Sequence, residues 1–266
     1  MRAISTSLKI DSGERTPITW SDPDVLALDS RYEVKIAGDP SEIASALRLR
    51  HEVFGLELNA LSAGDSNMDV DMFDLRCKHL IVVELSSRRT IGTYRLNSLA
   101  PGERIDKFYS FDEFTIEDLP MDILQNGVEI GRACISHDHR GTKALFLMWK
   151  ALATFLTRTN KRYFFGCCSI FTRDLTVGIQ AYQKLVRSGF LHDELRLSPR
   201  KNALNISDAE PDSEGFTLPP LFEMYIRLGA RLCGAPMVDD AFGTIDFFTV
   251  FDLENMNDKY RRMFFN

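Results

Sequence analysis

The chain has 266 residues, 44% of them hydrophobic and 26% charged, with a formal net charge of −6 at pH 7. This length exceeds what one small domain needs and falls short of two full ones, and the apolar content is ample for a core, so one elaborated α/β domain is expected. An acidic balance without a basic tail speaks against a nucleic-acid protein, whose phosphate partner demands a broad basic surface.

Residues 1 to 30 are polar and broken by Pro17 and Pro23. They lack the apolar core of a secretory signal and read as a weakly ordered leader. The longest apolar window, Ala144 to Leu156, is interrupted by Lys150 and is shorter than the roughly 20 residues that cross a bilayer. The five cysteines, Cys77, Cys134, Cys167, Cys168 and Cys233, contain no Cys-x-x-Cys pair. An odd count suits a reducing compartment, and a cytoplasmic location is expected.

Tyr32 to Ile36 reads as a first strand. Asp39 before Pro40 has the form of an N-cap with proline at N1, opening a helix through about Leu58. The polar loop Ser62 to Met68 follows. His79 to Leu85 and Ile91 to Asn97 read as an antiparallel hairpin, and Val128 to Ile135 as the next central strand. After Gly141, a helix to about Asn160, a strand from Tyr163 to Ile170 and a helix from Leu175 to about Ser188 continue a β-α-β-α run. Residues 198–215, rich in Asp, Ser, Asn and Pro, read as a loop. In the C-terminal extension, 216–262, Pro219-Pro220 starts a short helix to Leu228 and Ile245 to Leu253 is a late strand.

Several charges sit where apolar residues are expected. Glu129-Ile130-Gly131-Arg132 places opposite charges in a strongly β-forming segment. At i and i+3 they face opposite sides of a strand unless a bulge intervenes. On the first helix Ile43, Leu47, Val53, Phe54 and Leu58 form an apolar stripe with Arg50 near its centre, which reads as a snorkelling, ion-paired or functional arginine. Asp69, Asp71 and Asp74 precede the hairpin. The glycine and distal glutamate of an EF-hand loop are missing, leaving a solvated acidic turn or a functional cluster. Arg95 is a further charge within a strand.

This set, with Phe73-Asp74, Gly92-Thr93-Tyr94-Arg95-Leu96, Glu129 to Cys134, Phe165-Gly166-Cys167, Leu218-Pro219-Pro220 and Phe242-Gly243-Thr244, resembles the acyl-homoserine-lactone synthases and their relatives, a branch of the GNAT acyltransferases. Within that branch the chain is similar to the bacterial ornithine N-acyltransferases over about residues 31–262. The resemblance implies a GNAT-like α/β fold with a mixed central sheet, splayed near Glu129 to Cys134 and flanked by helices. It implies transfer of a 3-hydroxyacyl group from acyl carrier protein to the α-amine of L-ornithine, giving lyso-ornithine lipid. It also implies no tightly bound cofactor and no metal, because the carrier's 4'-phosphopantetheine is the donor arm. Peripheral contact with the inner membrane is a further expectation.

Acetyl-CoA enzymes that resemble this fold hold pyrophosphate on a glycine-rich turn at a helix N-terminus. The corresponding His139 to Ala144 has one glycine, which fits a donor lacking the nucleotide. No Asp or Glu lies between His139 and Arg173, whereas Arg140, Lys143, Lys150 and Arg158 do. This basic face is either an ordinary solvated surface or a dock for an acidic carrier protein.

The catalytic candidates are Glu129, as proton acceptor or as a structural ion-pair partner of Arg95 or Arg132, and Arg132. Arg50, Arg95 and Arg132 suit the acceptor's α-carboxylate because the guanidinium fork matches it, and Asp71 or Asp74 its side-chain ammonium. Phe54 and Cys134 complete the substrate contacts. A backbone amide near Ala133 to Ile135 would meet the oxyanion. Cys134 with His137 or His139 is a weaker covalent alternative, and the two histidines lack a third metal ligand. Another amino acid (lysine, glycine, glutamine, tyrosine) as acceptor, homoserine lactone synthesis, and a non-catalytic carrier- or lipid-binding module are the rival readings. Turnover separates the last from an enzyme.

Overall fold

The computed structural model describes residues 25–60, 66–206 and 216–265. β1 (Val25–Leu28), β2 (Tyr32–Ile36), β3 (Lys78–Glu84), β4 (Thr90–Asn97), β5 (Gly127–Ile135), β6 (Tyr163–Phe171), β7 (Arg231–Leu232), β8 (Met237–Asp239) and β9 (Thr244–Asp252) form one nine-stranded sheet. β1 to β6 lie in chain order, β9 follows β6, and β7 and β8 both pair with β9. The β5–β6 pair is parallel and the others are antiparallel.

The first helix, α1 (Pro40–Arg50), begins as its cap dictates: the Asp39 carboxylate accepts from the amides of Ser41 and Glu42. It does not run on as α-helix to Leu58. His51–Glu57 is a π-helical turn, closed by a bond from the Leu58 amide to the Val53 carbonyl. Such wide turns re-aim side chains and concentrate at functional sites. Here Val53 and Phe54 face the main cavity. The other helices are α2 (Met121–Asn126), α3 (Ala144–Arg158), α4 (Leu175–Arg187), α5 (Pro220–Leu228) and α6 (Asp258–Phe265).

One part of the expected leader is ordered structure. Val25, Ala27 and Leu28 pair with Lys35, Val34 and Glu33 of β2, with an irregularity after Val25. Four residues with a register shift show no clean alternation, which hid this strand in the sequence. Residues 1–24 of the leader, residues 61–65 at the first polar loop and 207–215 of the second lie outside the described residues.

Both sheet faces are covered, so β4 and β9 are buried almost throughout. On one face Tyr94, Phe164, Phe247 and Phe251 pack with Trp149 of α3 and Tyr225 of α5. On the other, Phe165 and Phe248 meet Phe108 and Phe114 from the segment between β4 and α2. That second face also carries α1 and the charged residues.

β5 and β6 are nine residues each, yet they pair only from Gly127↔Tyr163 to Glu129↔Phe165. Gly166 follows with φ +146°, and a Cβ there would lie 2.5 Å from the Ile130 carbonyl oxygen. Glycine permits the close crossing. Beyond it the strands diverge, and the splay opens the cavity.

Candidate active site

A bulge resolves the Glu129–Arg132 spacing. Thr93 faces Cys134 but Arg95 faces Gly131, so two residues of β5, Arg132 and Ala133, oppose Tyr94 alone. Arg132 adopts φ +48°, a strained backbone for a non-glycine residue that costs on the order of 1–3 kcal/mol. Its guanidinium is held 3.3 Å from Asp71 Oδ2 and 3.4 Å from Asp69 Oδ2, and lies over the rings of Tyr109 and Phe242. The extra residue thus turns Arg132 to the face that carries Arg95, Asn97 and Glu129.

Arg50 is fully buried and does not snorkel. Its Nε donates to Asp69 at 2.7 Å, and Nη1 and Nη2 donate to the two oxygens of Asp74 at 2.7 and 3.2 Å. Arg95 Nη1 reaches Asp71 at 2.5 Å and Asp74 at 3.3 Å. Burial pushes the Asp74 carboxyl up, but the hydrogen bond and charge of Arg50, with the charge of Arg95, outweigh it and hold the group below its usual range. The acidic turn is therefore not a solvated one. Its carboxylates are engaged by arginines and are poorly placed to take an acceptor's ammonium. Arg50 and Asp74 also lie off the cavity wall, whereas Arg95 and Arg132 line it.

Glu129 makes no ion pair with either arginine. Its Oε1 accepts from the Ser110 amide (2.8 Å) and hydroxyl (2.6 Å), and Oε2 from the Tyr109 amide (2.9 Å) and Asn97 Nδ2 (3.4 Å). The carboxylate thereby fixes the 3₁₀ turn Tyr109–Asp112 and lines the cavity.

The cavity measures about 680 Å³. Arg95, Asn97, Tyr109, Glu129 and Arg132 form a polar wall, and Leu145, Phe146, Leu221, Phe222 and Met224 an apolar one. The Tyr225 hydroxyl meets that of Tyr94 at 3.0 Å and ties α5 to the sheet. Phe54 packs against Phe171 and Phe242 beside the bulge. Cys134 lines the same space but packs with Leu49, Val53 and Phe54, and burial pushes its thiol up to about 12. His139 is bound to the Tyr32 hydroxyl at 2.9 Å and His137 is exposed. Among the described residues no base pairs with the Cys134 thiol, and the two histidines do not converge.

The expected docking residues divide. Arg140 pairs with both oxygens of Glu57 and donates to the Ile135 carbonyl. Arg158 donates to the Val25 carbonyl. Lys143 is exposed at the N-terminus of α3 and Lys150 is half-buried on it.

Sequence reasoning passed over Glu113 and Asp246. Asp246 interrupts the apolar run of β9, the same signal that drew attention to Glu129. Burial and the neighbouring Asp246 charge push Glu113 up to about 7, and burial and nearby Asp239 push Asp246 up to about 6. Native protein then holds more protons than unfolded chain between pH 4 and 7, so stability falls as pH rises through that window. Asp246→Asn should remove part of this loss and raise thermal stability at pH 8 by on the order of 1–3 kcal/mol. An unchanged pH dependence of melting in the variant would contradict it.

Residues 49–150 match the acetyltransferase (GNAT) domain family. The fold is similar to the structure of FeeM, an N-acyl amino acid synthase from uncultured soil microbes, over 88% of this chain and 94% of that one, with a TM-score of 0.50 at 13% identity. The family match makes the chain an acyltransferase of the GNAT class, and the sheet has the fold of that class. The chain is 30% identical over 258 residues to the L-ornithine N(alpha)-acyltransferase of Rhizobium meliloti (strain 1021), covering 89% of this chain and 85% of that protein. It is 28% identical over 257 residues to that of Brucella abortus (strain 2308), covering 89% of each. It belongs to the L-ornithine N(alpha)-acyltransferase family.

Proposed function

We propose that the protein transfers a 3-hydroxyacyl group from acyl carrier protein to the α-amine of L-ornithine, giving lyso-ornithine lipid. The observation that carries this reading is one cavity of about 680 Å³ that joins the Glu129–Arg132 wall to an apolar wall suited to an acyl chain. The names of the curated relatives support the acceptor.

The donor's 4'-phosphopantetheine arm supplies the thioester and enters through the splay between β5 and β6; no tightly bound cofactor takes part. Arg132, with Arg95, reads the acceptor's α-carboxylate. The Arg132 Nε is buried and, 3.4 Å from Asp69 Oδ2, makes no hydrogen bond, so an acceptor carboxylate competes for it with that ion pair alone. The neutral α-amine attacks the thioester carbon and forms the C–N bond. Glu129 takes the departing proton directly or through water. A backbone amide between Ala133 and Ile135, past the end of β6 pairing, receives the oxyanion. As the tetrahedral species collapses, the C–S bond breaks and the thiolate leaves with the proton.

Among the described residues no helix is long and apolar enough to cross a membrane. The amphiphilic product implies peripheral contact with the inner membrane, past Leu221 and Met224.

Mass spectrometry of lipids from a host expressing the chain tests the reading. A lyso-ornithine lipid is expected, and its absence alongside another N-acyl amino acid would overturn the acceptor. Lys143 and Lys150 carry the carrier docking. Their joint replacement by Glu should raise KM for acyl carrier protein about 10-fold at low salt, with the effect shrinking as ionic strength rises. Equal effects on a short pantetheine thioester would show that these lysines do not dock the carrier.

A further inference from the structure

We infer that Glu113, Cys167 and Asp246 form a subsite for the acceptor's side-chain ammonium and decide which of its amines reacts. The inference rests on the amino-acid acceptor proposed above.

Three observations place the subsite. Ser169 and Asp246 lie directly opposite across the β6–β9 pair, so Cys167, two residues from Ser169, shares the Asp246 face. Glu113 follows the 3₁₀ turn that Glu129 fixes, and the Cys167 thiol lies 3.1 Å from its Oε2. One ligand atom from each of Glu113, Cys167 and Asp246 falls within 4.8 Å of the others.

Asp246 supplies the sign that something is meant to bind. It is 3% exposed and lines the cavity, yet its Oδ1 has no hydrogen-bond partner. The Ser169 and Thr244 hydroxyls lie near enough to favour the ionised carboxylate, but Oδ1 keeps no formed hydrogen bond, and leaving a buried carboxylate oxygen so is unfavourable. Among the described residues neither Glu113 nor Asp246 has a basic partner at ion-pair distance, whereas Asp69, Asp71 and Asp74 all do. Asp246 faces the cavity with the Glu113 carboxyl behind Cys167 beside it, and among the described residues no cation lies at ion-pair distance from either.

Position makes the missing cation part of the acceptor. The Ser110 hydroxyl donates to Glu129 and lies 3.9 Å from the Cys167 sulfur. Arg132 lies close enough to Asp246 for its charge to favour the ionised carboxylate. A diamino acid with its carboxylate on Arg132 and its far nitrogen at Glu113 and Asp246 brings its α-amine towards Glu129. The far amine stays an ammonium there and cannot attack the thioester.

The test is competition between L-ornithine and L-norvaline, which has the same carbon skeleton without the side-chain amine, for a fixed acyl carrier donor. The intact protein, Asp246→Asn and Glu113→Gln are compared, with products read by mass spectrometry. Each variant should lower the ornithine-to-norvaline ratio of kcat/KM by roughly 10- to 150-fold, as for loss of a charged hydrogen bond, with donor KM unmoved. Thermal melting confirms that each is folded. An unchanged ratio in both folded variants overturns the subsite but leaves the acceptor reading standing. An intact protein that acylates norvaline as well as ornithine overturns that reading itself. One equivalent of bound zinc that is lost in Cys167→Ala would also overturn the inference, by making the cluster a metal site.

Discussion

Asp74→Ala should destabilise the protein by about 3–5 kcal/mol, the cost of breaking a buried ion pair, because Arg50 keeps only Asp69, on Nε. Asp74 binds Arg50 through both oxygens and also lies 3.3 Å from Arg95. Arg50 is fully enclosed and has no solvent to turn to. Asp71, more exposed at its side chain, is the control: Asp71→Ala should cost about 1 kcal/mol, nearer the value of a partly solvated pair. The Asp74 carboxyl is held below its unfolded value, so its contribution is complete above about pH 4 and lost as pH falls through the folded value. Urea titrations of both variants at pH 7 and of the intact protein at lower pH would measure this. A loss below about 1 kcal/mol for Asp74→Ala would show that the network does not hold the fold.

The elements that local chemistry specifies were legible in the sequence. The Asp39–Pro40 cap, the β3–β4 hairpin and β5 lie within a residue or two of their expected positions. The bulge was legible only as the condition under which Glu129 and Arg132 share a face. What escaped is what distant residues decide. The segment between β4 and α2 has no apolar periodicity, and its turns form because Glu129 binds the amides of Tyr109 and Ser110 about twenty residues away. Arg50 was legible as misplaced on an apolar stripe. Its partners, 19 and 24 residues on, were not. Their pairing leaves Asp71 and Asp74 already bound to arginines. Asp246 was marked by its place within β9, yet its meaning depends on Cys167 and Glu113, which only the folded sheet brings beside it.

Glu129→Gln should lower kcat/KM by roughly 10²- to 10⁴-fold, the range for loss of a general base, and should also lower stability. The second effect follows from the geometry. Both carboxylate oxygens accept from backbone amides, Oε1 from Ser110 and Oε2 from Tyr109. Whichever way the glutamine amide is turned, its NH₂ group faces one of those N–H donors, leaving a buried donor unsatisfied at a cost of about 1–3 kcal/mol. Structural and chemical contributions are separable. Ser110→Ala removes the hydroxyl donor but leaves both backbone contacts, so it should loosen the turn mildly with less than about a 10-fold change in kcat. If Glu129 is the base, Glu129→Gln should also flatten the acidic limb of the kcat/KM profile against pH, which a merely displaced turn would not do. Turnover within a few-fold of the intact protein in folded Glu129→Gln would leave Glu129 as the anchor of the turn and require the proton to go elsewhere. Glu113 would then be the carboxyl to examine, because it is buried, adjacent to the same turn and pushed up to about 7 by burial and the Asp246 charge.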